Sequence, residues 1–180
     1  RKGRQGASMQ DIADEAGINR TLLNYYFRSK DKLFDLIFEN VFLRFIPDIA
    51  KLLVKEGPIE QKFDIFIKHY TSLLKRSPFT PIFILHELTT NPERLIASIK
   101  SRGVDPTSFL KLIRDEMDKG NIKKTDPVQL MVNLLSLVIF PFAARPMLLG
   151  MFFEGNNDKY NQFIEEREEN LGEYFINSIK

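Results

Sequence analysis

The stretch from Met9 to Lys30, MQDIADEAGINRTLLNYYFRSK, constrains this chain more than any other. Two short apolar patterns of helical spacing meet at Gly17. Ile12, Ala13, Ala16, Ile18, Leu23 and Tyr26 fall where two helices crossing steeply need contacts. Ala13 is small enough to let the helices approach, and a glycine at the corner accepts the left-handed conformation that closes a helix. Ser8 is a natural N-cap for the first helix, Asn19 for the second and Ser29 for the next, with Asp31 favourable in that helix's first turn. This is the pattern of a helix-turn-helix, a unit whose second helix fits the major groove of DNA. Two helices have no core of their own, so a further helix must cover Ile12, Leu23 and Phe27. The reading therefore expects a first helix ahead of Arg1 that this chain lacks.

Charge agrees in its distribution rather than its total. The formal net charge is only +2 over 180 residues. Residues 1–32 carry seven cations against four anions, while residues 154–180 carry three against seven. A basic front and an acidic rear suit a molecule that presents one end to phosphate. The chain has no cysteine, which excludes disulfides, thiol catalysis and thiolate metal sites and points to a reducing, cytoplasmic setting. No signal peptide opens it. The most apolar segment, Val128 to Phe153, is interrupted by Gln129, Asn133, Ser136, Arg145 and two prolines, so it reads as a buried or dimer-facing helix rather than a membrane span. An enzyme finds little support in two histidines and no phosphate loop. His86-Glu87-Leu88-Thr89-Thr90 begins like a zinc-protease motif but lacks the second histidine. No catalytic residue, metal or cofactor is expected.

The remainder reads as helical throughout. Leu33, Phe34, Ile37, Phe38, Val41, Phe42 and Phe45 form a stripe along a linking helix from Leu33 to Leu53, with Pro47 as a kink or pivot. Apolar faces recur over Pro58 to Ser77, after Pro81, after Pro92 and from Pro106 to Gly120. Asp126-Pro127 is a cap followed by a proline at the first helical position, opening a long apolar helix that Pro141 and Pro146 must kink or interrupt. Asn156 or Asn157 caps the last helix. No strand-like alternation is found, so the expected fold is all-α. A helix-turn-helix DNA-binding domain over residues 1–46 precedes a helical ligand-binding and dimerisation domain over 47–180.

The run Ala7-Ser8-Met9-Gln10-Asp11-Ile12-Ala13, then Ala16-Gly17-Ile18-Asn19, then Leu23-Asn24-Tyr25-Tyr26-Phe27-Arg28-Ser29-Lys30-Asp31-Lys32-Leu33, resembles the N-terminal domain of bacterial TetR-family transcriptional regulators. The phrase Gly120 to Pro127, GNIKKTDP, looks like the turn before the penultimate long helix of that family. The close match covers about a quarter of the chain. The resemblance implies a homodimer on a near-palindromic operator in double-stranded DNA, most often a repressor, released by a small molecule. It also implies dimerisation through the last two long helices. Asn24 replaces the family's usual tyrosine, and Thr21-Leu22 stands where a small pair is common, so the operator sequence does not carry over.

On the recognition helix, Arg20 is placed to read guanine, and Thr21 and Asn24 lie on the exposed side. Gln10 can reach a flanking base or phosphate, while Leu22 is either a thymine-methyl contact or buried. Tyr25 points outward, whereas Tyr26 buries its ring and reaches a phosphate with its hydroxyl. Ser8 and Lys30 stand at helix N-termini that favour phosphate, and Lys30 matches the family's phosphate-clamping lysine. Sixteen phenylalanines suggest a hydrophobic or aromatic effector. Its candidate lining is Phe63, Phe66, His69, Tyr70, Phe83, His86, Phe109, Phe140 and Phe142, each of which can equally be ordinary core. The expected dimer faces are Leu130, Leu134, Leu137 and Val138 on one helix and Phe163, Leu171, Tyr174 and Phe175 on the other. The alternative is a helical protein-interaction module that has lost DNA binding.

Overall fold

The computed structural model of the chain describes residues 6–37, 39–40, 57–90, 92–101 and 106–180. Every regular element among the described residues is a helix. The chain divides into two compact units, Arg1–Phe45 and Ile46–Lys180. The expected linking helix runs into residues 41–56. Pro47, with Phe38, Val41, Phe42 and Phe45, lies outside the described residues.

The first unit holds α1 (Met9–Ala16), α2 (Arg20–Phe27) and α3 (30–37). Helix α1 starts in a reciprocal capping box. The Ser8 hydroxyl accepts from the Asp11 N–H at 3.1 Å, and the Asp11 carboxylate accepts from the Ser8 N–H at 2.8 Å. It stops at Gly17, whose φ of 65° turns the chain so that the Ile18 N–H donates to the Ala13 carbonyl at 3.0 Å. Asn19 caps α2 by accepting from the Thr21 N–H at 2.7 Å, and the Ser29 hydroxyl accepts from the Lys32 N–H at 3.2 Å to cap α3. Ala13, Leu23 and Leu33 are buried together, with Met9, Ile12 and Phe27 packed against them.

The second unit runs α4 (Ile59–Arg76), α5 (Thr80–Thr90), α6 (Pro92–Ser101), α7 (Pro106–Asp118), α8 (Pro127–Ala143), α9 (Arg145–Phe152) and α10 (Asn157–Ile179). Helix α4 is central and packs chiefly against α10 and also against α8. Its inward line, Ile59, Phe63, Phe66, Ile67, Tyr70 and Leu74, follows steps of three and four. The Phe63 ring meets the edges of Phe175, centroids 5.1 Å apart, and Phe109, 6.4 Å apart, so one residue ties three helices. Tyr70 stacks on Phe66, and burial pushes its hydroxyl up to about 12. Gly172 lets α10 lie close to α4, because a Cβ there would press on the Asp64 carboxyl group.

Prolines shape α8 in a way that α10 compensates. Pro141 has no N–H, so the Leu137 carbonyl loses its intrahelical donor. Arg167 of α10 supplies one: its Nη2 donates to the Leu137 oxygen at 2.9 Å. The Tyr160 hydroxyl donates to the Pro141 oxygen at 3.1 Å, just before α8 stops at Ala144. Pro146 then opens α9, bent from α8 by 67°. Thus Pro141 is carried inside α8, and the interruption falls between the two prolines. Helices α8 and α9 together have the length and apolarity of a membrane span, but no single described helix is long and apolar enough to cross a membrane.

The link from α7 to α8 is set by Glu116. Its carboxylate accepts from Asn121 Nδ2 at 2.7 Å and from Lys119 Nζ at 2.8 Å, around Gly120 at φ 77°. These two hydrogen bonds, Asn121's the larger, hold the Glu116 carboxyl below its ordinary 4.5.

Two outcomes follow. Arg167→Met should destabilise the protein by about 1–3 kcal/mol, by leaving a buried carbonyl unmet. In a Pro141→Ala background, where an alanine N–H reaches Leu137, the same change should cost less than half as much. Equal costs in urea titrations of the two backgrounds would refute the compensation. For Glu116, the unfolded chain binds the proton more readily, so the stability it lends is complete above its ordinary value of 4.5 and fades as pH falls through its lower folded value. Glu116→Gln should flatten the urea midpoint against pH between about pH 3 and 6 relative to the unsubstituted protein. A slope unchanged by the substitution would count against it.

Candidate nucleic-acid interface

Helix α2 is exposed over most of its circumference. Only Leu23 is buried, and Phe27, one turn later, is half-buried. Arg20, Thr21 and Asn24 are all exposed, as the sequence reading expects. Asn19, by holding the Thr21 N–H, fixes the start of the helix from which Arg20 projects. Lys30 is half-buried at the start of α3, one residue beyond the Ser29 cap. A cation at this place stands beside backbone N–H groups that themselves favour an anion.

Four side chains differ from expectation. Tyr26 is not on the packing side: it is 68% exposed, close to Tyr25 at 78%. Leu23 and Phe27 define the buried line, and Tyr26 lies about 100° round the helix from Phe27. The two tyrosine rings instead meet edge to face, centroids 5.5 Å apart. Ile18, expected as a packing contact, is also exposed. Ser8 is exposed, but its N–H and hydroxyl both donate to Asp11, so a carboxylate already faces the α1 terminus where a phosphate was expected. Gln10 is exposed and donates from Nε2 to Asp14 at 2.7 Å, which ties it to its own helix.

Leu22, for which the sequence left a thymine-methyl contact or burial open, is exposed beside Thr21. One residue was missed as a candidate. Arg28 ends α2 at φ 58°, a left-handed conformation that a non-glycine residue adopts at some cost, and its N–H donates to the Asn24 carbonyl at 2.8 Å. Its exposed guanidinium lies between Tyr26 and Lys30 in sequence, but no local pattern announces its backbone conformation.

In the second unit, most of the candidate effector lining is closely packed. Phe63, Phe66, Tyr70, Phe109 and Phe142 are buried core, and His69, Phe83 and His86 are half-buried. The His86 Nε2 atom is buried without a hydrogen-bond partner, next to the fully buried Glu87 on α5. Phe140 is a correction: it is 56% exposed, because it falls about 200° round the helix from the inward Val138. The expected dimer faces also need correcting. Leu130, Leu134, Val138, Leu171 and Phe175 are buried in this chain's own core, Leu137 and Phe163 are half-buried, and Tyr174 is exposed. Helical periodicity marks an apolar stripe but not whether it faces the same chain or a second one. The apolar residues left exposed on α8 and α9 are Val128, Val132, Phe140, Met147, Met151 and Phe152. Among the described residues, no three His, Asp or Glu side chains gather to hold a metal ion.

The first unit has a clear counterpart. Residues 1–37 match the family model of bacterial regulatory proteins, tetR family. The fold of the chain is similar to that of a transcriptional regulator of the TetR/AcrR family from Thermobifida fusca YX-ER1. That match has a TM-score of 0.58 and 19% sequence identity, over 94% of this chain and 87% of the other. Comparison with curated proteins gave no match. Residues 1–37, whose capped helices cross at Gly17, thus match the tetR-family model, and the chain, helical in every regular element among the described residues, has a fold similar to that of a TetR/AcrR regulator.

Proposed function

We propose that this protein is a DNA-binding transcriptional regulator that binds a near-palindromic operator as a homodimer and is released by a small molecule, acting as a repressor. The observation that carries the reading is the exposed α2, projecting Arg20, Thr21 and Asn24 from a helix fixed at both ends. The likeness to a TetR/AcrR regulator supports it. Arg20, Thr21, Leu22 and Asn24 read base edges, while Lys30 and the hydroxyls of Tyr25 and Tyr26 contact phosphates. The same surface argues against an interaction module that has lost DNA binding, since an idle α2 would have no use for its polar face.

Dimerisation uses the exposed apolar face of α8 and α9 with Tyr174 of α10, because an apolar patch of this extent on a soluble chain marks an interaction site. The effector belongs to the second unit. His86 and Glu87 place polar groups among aromatic side chains, a setting that suits a hydrophobic molecule with one or two polar atoms.

Operator selection from random duplexes tests the reading, and recovery of a palindrome with half-sites about one helical turn apart is the expected result. No enriched palindrome would favour the interaction module. On the selected operator, Lys30→Ala should weaken binding to all sequences alike and lower the salt dependence by about one unit per subunit. Arg20→Ala should cost about 1–3 kcal/mol on the operator and relax preference at one base per half-site. An unchanged salt slope for the first, or unchanged base preference for the second, would remove that residue from the interface.

A further inference from the structure

The turn between α2 and α3 is tighter than a helix end requires. Arg28 has φ 58° and ψ −36°, and across it the Ser29 N–H donates to the Phe27 carbonyl at 2.6 Å. A hydrogen bond that spans one residue at positive φ makes a near-classic γ-turn, a rare and strained form. Glycine takes positive φ without that strain, as Gly17 does at φ 65° between α1 and α2. Among the described residues the other non-glycine at positive φ is Glu154, whose carboxylate is engaged by Lys159 at 3.2 Å. The Arg28 guanidinium is exposed, and no hydrogen bond or ion pair among the described residues engages it. The chain therefore keeps a long cationic side chain where glycine would be more stable, with no intramolecular contact to account for it.

Its place on α2 supplies a reason. The Arg28 N–H donates to the Asn24 carbonyl at 2.8 Å, so the helical path continues to the Arg28 Cα. Seven residues are two turns less about 20°, so that Cα falls on the line of Thr21 and Asn24, about 10 Å further along the axis than Thr21. It lies about 140° round the helix from the buried Leu23. A recognition helix reads bases with its N-terminal residues and meets the DNA backbone at its far end. The local charge agrees, since residues 28–32 hold Arg28, Lys30 and Lys32 against Asp31.

We propose that Arg28 is a further contact to the DNA backbone, its guanidinium pairing with a phosphate beyond the bases read by Thr21 and Asn24, and that the strain of its turn is tolerated for that contact. The planar guanidinium can donate two parallel hydrogen bonds to one phosphate. This rests on the proposed function and adds a residue to its interface: position 28 exchanges stability for affinity.

The test uses the full chain, with its selected operator and a random duplex of equal length titrated at several salt concentrations, and calorimetry for the thermal midpoint. Arg28→Gly should raise the midpoint by about 2–4 °C. It should also weaken both duplexes alike, on the order of tenfold, and lower the salt slope by about one unit per subunit. Arg28→Asn tolerates the left-handed backbone without the charge, and should lower the slope equally. Arg28→Lys should keep the slope. A slope unchanged in the glycine and asparagine variants would overturn the contact. So would a slope lowered by glycine alone, since a loosened turn would then have displaced Lys30. A midpoint that does not rise in Arg28→Gly would overturn the exchange of stability for affinity. If the unsubstituted chain binds neither duplex, the proposed function fails and this contact with it; if it binds and the slopes do not move, the contact alone fails.

Discussion

The second unit depends on the burial of one face of α4. Phe63 lies between Phe175 and Phe109, and Ile67, Tyr70 and Leu74 continue the same line. Burying side chains of this size is worth about 1.5–3 kcal/mol each, and the edge-to-face rings add directionality. Helix α10 approaches through Gly172 and is held at its sides by ion pairs of Lys75 with Glu168, at 3.0 Å, and Lys180 with Glu60, at 3.2 Å. Exposed pairs of this kind contribute little beside the apolar contact. The inner residues of α8 pack into the same core, and the space left between α8 and α10 becomes a groove rather than a seam.

The prolines of α8 would weaken an isolated helix. Pro141 is tolerated because α10 presents a hydrogen-bond donor to the Leu137 carbonyl it sets free. Arg167 is half-buried, and desolvation lowers its pKa, a cost that the Leu137 carbonyl and the nearby Tyr174 oxygen partly offset. Tyr160 donates to the Pro141 carbonyl in the last turn of α8, while its ring lies under the Arg145 guanidinium, 5.2 Å from the centroid. The bend at Ala144 thus has a cause in sequence and a remedy in tertiary contact, and it leaves α9 with no buried residue.

The first unit follows another logic. Its core is very small, with Ala13, Leu23 and Leu33 at the centre, and its shape comes mainly from caps. Ser8, Gly17, Asn19 and Ser29 each satisfy or terminate a helix end, which fixes where α2 begins and which side chains it offers. A unit made this way can vary Arg20, Thr21, Leu22 and Asn24 with little effect on its fold, since none is buried.

The sequence by itself determined the helices, because their causes are local. Caps, prolines and the periodicity of apolar residues act within a turn or two, so the corner at Gly17, the Asp126-Pro127 start and a cap at Asn156 or Asn157, which the structure gives to Asn156, were legible. The exposure of Arg20, Thr21 and Asn24 was legible for the same reason. What only the tertiary structure decided is which neighbour covers each apolar stripe. Leu130, Leu134, Val138, Leu171 and Phe175 had the spacing of an interface and went into the chain's own core, while Phe140 had the composition of a core residue and faces outward. Tyr26 turned on a single 100° step that no pattern of eight residues resolves. The groove between α8 and α10 could not be read in advance, since its walls lie on separate helices that only the tertiary structure brings together.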